Sequence, residues 1–352
     1  VPSFPASRPA RILLTLLAGA AAAGLCLLLH TPLPWMIGPL VATAVGGMAG
    51  LPLAAATPLR NAGQWAIGTV LGLYFTPQVV GIVASHWAAI LAGIAWALLL
   101  GTLFGAFLKR ANAGRMALDR PTLFFASAIG GASEMAVLAE RFGGRMDLVA
   151  SAHSLRILLV VLTIPFGFQA AGLHGLDPTL PGPQRVEWQG LLQLVAMTAA
   201  GGAFLRWRGV SNPWVLGPLF VAFGLTATGV ELSALPKWMT NLGQLFIGVA
   251  LGTRFTPAFL HTAPRWLLSV GAGTLAMIGL SAGFALAVAH FSGLHPATVM
   301  LGTSPGGIAE MCLTARVLEL GVPVVTAFHV TRMAAVVLLA APLFRWSRPA
   351  PA

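Results

Sequence analysis

Gly130-Gly131-Ala132-Ser133-Glu134-Met135, followed by His153-Ser154-Leu155-Arg156, returns 176 residues later as Gly306-Gly307-Ile308-Ala309-Glu310-Met311, followed by His329-Val330-Thr331-Arg332. The step from Glu to His is 19 residues in both copies, and the step from Glu to Arg is 22. A frame kept over that length marks an internal duplication. Both copies lie in apolar runs, where a carboxylate, an imidazole and a guanidinium are costly to bury, so the repeated set is the leading candidate for a functional site.

Other pairs align outward from this frame. Pro34-Trp35-Met36-Ile37-Gly38-Pro39 answers Pro213-Trp214-Val215-Leu216-Gly217-Pro218. Asn61-Ala62-Gly63-Gln64 answers Asn241-Leu242-Gly243-Gln244, and Phe75-Thr76-Pro77 answers Phe255-Thr256-Pro257. The first repeat is therefore expected over 1–172 and the second over 188–352, with the Pro/Gly-rich stretch 173–187 as linker.

With 57% hydrophobic and 8% charged residues and a mean hydropathy of +0.85, the 352-residue chain cannot present an ordinary soluble surface, and it reads as an integral membrane protein. The net charge of +11 does not indicate nucleic acid, because the arginines are scattered between apolar runs rather than clustered on a motif. Long apolar runs without alternating short strands favour spanning helices over a barrel. Cys26 and Cys312 lie in separate apolar runs and suggest neither a disulfide framework nor a thiolate metal site. Arg8 and Arg11 precede the apolar run Ile12 to Leu29, which superficially fits a signal peptide. The run is long and no small-residue cleavage site follows it, so it is read as the first spanning helix.

Charge, proline and glycine mark six apolar segments per half, and the basic residues test how many of them cross. Leaving out Arg156 and Arg332, 18 basic residues remain. If every segment spans and the N-terminus is cytoplasmic, 11 fall inside and 7 outside. If the fifth segment of each half is re-entrant, 15 fall inside and 3 outside (Arg185, Lys237 and Arg316). The second arrangement fits better. It predicts an all-α polytopic membrane protein made of two inverted repeats, each with about five transmembrane helices plus a Gly-rich re-entrant or broken helix. Both termini are then cytoplasmic. Glycine pairs weaken the fifth segments, and broken backbone at membrane depth needs protein or water around it, so each break points to a cavity.

Glu134 and Glu310 are suited to proton or cation coupling, with a structural Glu–Arg pair as the alternative. His153 with Arg156, and His329 with Arg332, are three residues apart and so share a helical face. There the arginine fork suits an oxyanion and the histidine suits a proton relay, while neutralising a neighbouring Glu and making a structural hydrogen bond are the plainer roles. Gly130, Gly131, Ser133, Gly306 and Gly307 belong to the same candidate solute or ion site. Asn61, Gln64, Asn241 and Gln244 are added to it, although amides in membrane helices also serve as interhelical glue. Two Glu and two His raise a metal question, but no Glu-x-x-His or His-x-x-x-His spacing occurs and an arginine beside each histidine would repel a cation. No P-loop, Cys-x-x-Cys or nucleophile elbow is present. Neither a cofactor nor catalytic residues are expected, and the implied partners are the lipid bilayer, a small solute, a coupling H+ or Na+ and, in a homo-oligomer, further copies of the chain.

The duplicated Pro-Trp-x-x-Gly-Pro, Asn-x-Gly-Gln, Gly-Gly-x-x-Glu-Met and His-x-x-Arg elements resemble the bacterial AbrB-type membrane protein family, over about Arg11 to Phe344. This family is distinct from the small DNA-binding transition-state regulator of the same name. The resemblance implies a multi-pass protein of the bacterial inner membrane. It also implies two functional labels, regulation of gene expression and ammonia monooxygenase, neither of which follows from the residues. Three functions are therefore weighed. A carrier resembling secondary transporters suits the repeats, the breaks and the buried polar sets. A membrane regulator would have to act indirectly, since no soluble DNA-binding domain is visible. A monooxygenase would need a denser set of metal ligands.

Overall fold

The helices of the second half repeat those of the first in order. In the computed structural model the first half forms α1 (Arg8–Leu28), α2 (Pro34–Met48), α3 (Thr57–Gly72), α4 (Pro77–Ser85), α5 (Trp87–Asn112), α6 (Arg120–Ser127), α7 (Ala132–Arg141) and α8 (Met146–Ala170). The second half forms α9 (Trp188–Trp207), α10 (Pro213–Ala227), α11 (Lys237–Gly252), α12 (Pro257–Thr262), α13 (Pro264–Ser292), α14 (Pro296–Thr303), α15 (Ile308–Val317) and α16 (Val322–Trp346). The structure describes residues 7–114, 116–175 and 179–346, without the side chains of 260–262. Arg115 and Arg348 from the charge count, and 176–178 of the linker, lie outside the described residues.

Local sequence sets the helix ends in matching ways. Pro34 and Pro213 open α2 and α10, where a missing N–H loses no helical bond, and the residues before them, Leu33 and Asn212, turn left-handed with φ of 48° and 50°. Asp119 caps α6 by accepting from the Thr122 amide at 2.7 Å. His295, in the matching place, caps α14 with its Nδ1 3.2 Å from the Ala297 amide. The Gly-Pro steps fall inside α2 and α10, and each Phe-Thr-Pro step falls at a helix break; α3 and α4 are bent by 87° there.

Among the described residues, five helices are long and apolar enough to cross a membrane, namely α1, α5, α8, α13 and α16, or up to six if α3 and α4 form one bent span. This makes a multi-pass membrane protein. The sequence reading expects more long spans, and the difference lies in α9, which has 20 residues but is less apolar than the five, and in the shorter α2, α3, α10 and α11. These shorter helices have only 15 or 16 residues. At about 1.5 Å per residue they are short of a hydrocarbon core of about 30 Å. Glycine and proline around Gly46-Gly47, Gly50, Pro52 and Pro58 end the regular helix early in the first half.

The chain forms two compact units, and each draws on both sequence halves. The first unit contains α1–α4 and α9–α12. Here α3 lies against α10 and α11 against α2, through glycines that admit the neighbouring backbone. A Cβ on Gly72 would sit 2.5 Å from the Leu219 carbonyl oxygen, and one on Gly252 would sit 2.5 Å from that of Leu40. Gly68 meets the Val215 carbonyl and Gly248 that of Met36 in the same way, and Gly63 and Gly243 face each other. Each of these contacts from first half to second has its counterpart from second to first.

The second unit holds α5, α6, α7, α13 and α14, with most of α8 and α16 and the first turn of α15. Its core gathers Phe104, Phe125, Met135, Trp266 and Phe344, all nearly or fully buried. The Trp266 indole donates to the Leu148 carbonyl at 3.1 Å, and Trp96 stacks on Phe284 at 4.4 Å while donating to Ser281.

Candidate functional site

All the Gly, Glu, His and Arg residues of the repeated frame lie in the second unit. Each fifth segment is broken. The eight-residue α6 and ten-residue α7 are separated by 128–131, and α14 and α15, of the same lengths, by 304–307. At every break the carbonyl end of one half-helix and the amide end of the next come together, giving opposite partial charges at one place.

The carbonyl ends are held by the sixth segments. His153 Nε2 lies 2.9 Å from the Phe125 carbonyl oxygen, Arg156 donates to that of Ala128 at 3.1 Å, and a second Arg156 nitrogen lies 2.8 Å from His153 Nδ1. In the second copy His329 Nε2 lies 2.9 Å from the Leu301 oxygen, and Arg332 donates to Ser304 and Gly306 at 2.6 Å each. Arg332 also lies 2.9 Å from His329 Nδ1. A carbonyl can only accept, so each Nε2 carries the hydrogen; a guanidinium can only donate, so each Nδ1 offers its lone pair. The histidines thereby lock the arginine forks to the ends of α6 and α14. A proton-relay role for them would require the Arg–His bond to break first.

The amide ends carry the glutamates. Gly131 caps α7, which places Glu134 in its first turn, and Glu310 holds the same place in α15. A carboxylate there is favoured by the helix dipole. Glu310 folds back over Gly307, where an added Cβ would push its carboxylate aside. The two copies differ in exposure. Glu310 is buried, whereas Glu134 is half-buried and Ser133 is exposed.

The breaks are paired across the duplication. A Cβ on Gly130 would lie 3.0 Å from Val336 Cγ1, and one on Gly306 would lie 3.0 Å from Val160 Cγ1. Val160 and Val336 are themselves 176 residues apart, so each break rests on the sixth segment of the other half. Arg156 and Arg332 are 3% and 5% exposed and close enough to repel one another. Arg156 has no carboxylate partner among the described residues, and its Nε is a buried donor without an acceptor. A buried cation facing a second cation is strongly disfavoured unless another charge offsets it.

Comparison with known proteins adds an identity to this geometry. The family described as "Transition state regulatory protein AbrB" matches residues 35–348. The chain belongs to the AbrB family. It is 29% identical over 307 residues to a Bacillus subtilis (strain 168) protein named "Uncharacterized protein YhjN", covering 80% of this chain and 77% of that protein. It is 24% identical over 318 residues to an Escherichia coli (strain K12) protein named "Putative regulator AbrB", covering 89% of each.

Not all the candidate residues of this AbrB-family chain come together in one unit. Asn61, Gln64, Asn241 and Gln244 belong to the first unit, on α3 and α11. Asn61 lines a cleft there with Trp65, Arg206 and Trp214, and Gln244 is buried. Among the described residues no three His, Cys, Asp or Glu side chains cluster to hold a metal. The sequence reading did not single out Phe125, Ala128, Leu301 and Ser304, which act through backbone oxygens that any residue supplies. It also passed over Val160 and Val336, which share the 176-residue frame but look like any other valine in an apolar run.

Proposed function

We propose that this AbrB-family protein is a secondary carrier of a small anionic solute in the bacterial inner membrane. The observation that carries the reading is Arg156, buried without a carboxylate among the described residues, opposed by Arg332, and bound to the end of the first broken segment. A solute anion would offset the charge of Arg156, and the amide ends of α7 and α15 favour the same sign. Glu134 and Glu310, at the mouths of the breaks, are assigned to coupling with H+ or Na+. Inverted halves with both termini cytoplasmic suit the basic-residue distribution, and two repeats enclosing one site suit alternating access. The donor set favours a carrier over an oxygenase, since the described residues of the second unit present arginines and single carboxylates rather than grouped metal ligands. The regulator name of the Escherichia coli relative is compatible with an indirect effect, in which loss of transport changes a metabolite that alters transcription.

Anion flux into proteoliposomes tests the reading directly. Wild-type protein should carry a small carboxylate down an imposed H+ or Na+ gradient, and Glu134→Gln and Glu310→Gln should each uncouple flux from that gradient. Gradient-driven flux unchanged by both substitutions would remove the glutamates from the site. Tags on both termini test topology, and an extracytoplasmic C-terminus would sink the inverted arrangement.

A further inference from the structure

An apolar cavity of ≈ 100 Å³ lies directly beside the first break. Its wall includes Ser127, Ala128 and Ile129 from the break, Ala97 from α5, and Val336 and Ala340 from α16. Ala128 is the residue whose carbonyl takes the Arg156 hydrogen bond, and Val336 is the side chain facing Gly130. The cavity and the Arg156 guanidinium, whose Nε has no acceptor, therefore share Ala128, and the cavity lining offers almost nothing for a polar group to bind. We infer that the transported anion is an amphiphilic monocarboxylate, whose carboxylate lies at Arg156 and whose short hydrocarbon tail fills this cavity.

The inference rests on the anion-carrier reading and narrows it. An inorganic anion such as phosphate would leave the cavity unused, and a dicarboxylate would bury its second charge among apolar side chains without a partner, which is strongly unfavourable. The volume limits the tail. An apolar protein cavity of about 150 Å³ accommodates benzene, so this one suits about four carbons.

Isothermal titration of the purified full chain with phosphate, acetate, butyrate and hexanoate tests the assignment. From acetate to butyrate, affinity should rise by about fifteen-fold for two buried methylenes, and hexanoate should gain little more. Leu343→Ala enlarges the cavity wall and should move the optimum to hexanoate, whereas Ala97→Leu fills the cavity and should move it to acetate. Opposite shifts from two variants separate tail recognition from loss of folding, and Leu343→Ala alone suffices if Ala97→Leu does not fold. Acetate or phosphate binding with no chain-length dependence, or with a length optimum that Leu343→Ala leaves in place, would overturn the tail pocket but leave an anion site. Failure of all four anions to bind the wild-type protein would overturn the anion-carrier reading itself.

Discussion

Arg156 shows most clearly what a buried charge demands. Its fork spans the Ala128 carbonyl and His153 Nδ1 at once, a geometry that a lysine ammonium cannot reproduce. Arg156→Lys should therefore keep the charge yet lower anion flux about ten-fold or more, with the protein still folded by thermal unfolding in detergent. His153→Phe removes the link between α6 and that arginine. It leaves the Phe125 carbonyl and an Arg156 N–H without partners and should destabilise the fold by about 1–3 kcal/mol. The same loss is expected for His329→Phe, since the second copy has the same bonds. A much smaller change in unfolding midpoint for both would mean that the histidines do not hold the helix ends.

The elements are set by glycine and proline more than by hydrophobicity. Gly307 lets the Glu310 carboxylate fold over the start of α15, so Gly307→Ala should displace that carboxylate and weaken coupling in the flux assay as Glu310→Gln does. In the first unit, Gly68 and Gly248 bring α3 onto α10 and α11 onto α2. An added methyl at either has only backbone carbonyl to push against, so Gly68→Ala and Gly248→Ala should each destabilise by about 1–3 kcal/mol, read from denaturation in mixed micelles. Breaks and short helices were legible where the punctuating residues are visible in the chain, as at Gly130-Gly131 and Phe75-Thr76-Pro77. Helix length was less legible. Segments 34–56 and 59–84 are apolar enough to span, yet the ends of α2 and α3 depend on where backbone turns and neighbouring helices stop them.

Across the second unit, the two-fold relation of the breaks predicts paired cross-links. With Cys26 and Cys312 replaced, Gly130→Cys with Val336→Cys, and Val160→Cys with Gly306→Cys, should both form disulfides under mild oxidation, because both pairs have close facing positions. Cross-linking of one pair without the other would break the symmetry on which a single shared site depends. The sequence alone determined that the chain is helical and membrane-embedded, that it is duplicated, that each fifth segment breaks at a glycine pair, and that Glu, His and Arg recur in one frame. These follow from composition, spacing and backbone chemistry, which are local. Only the tertiary structure decided that both frames fall in one compact unit while the Asn and Gln pairs fall in the other. It alone showed that each arginine is held by backbone carbonyls, and that each break rests on the opposite half. Those pairings join residues far apart in the chain through main-chain oxygens and close-packed glycines, groups whose identity in the sequence does not reveal what they meet.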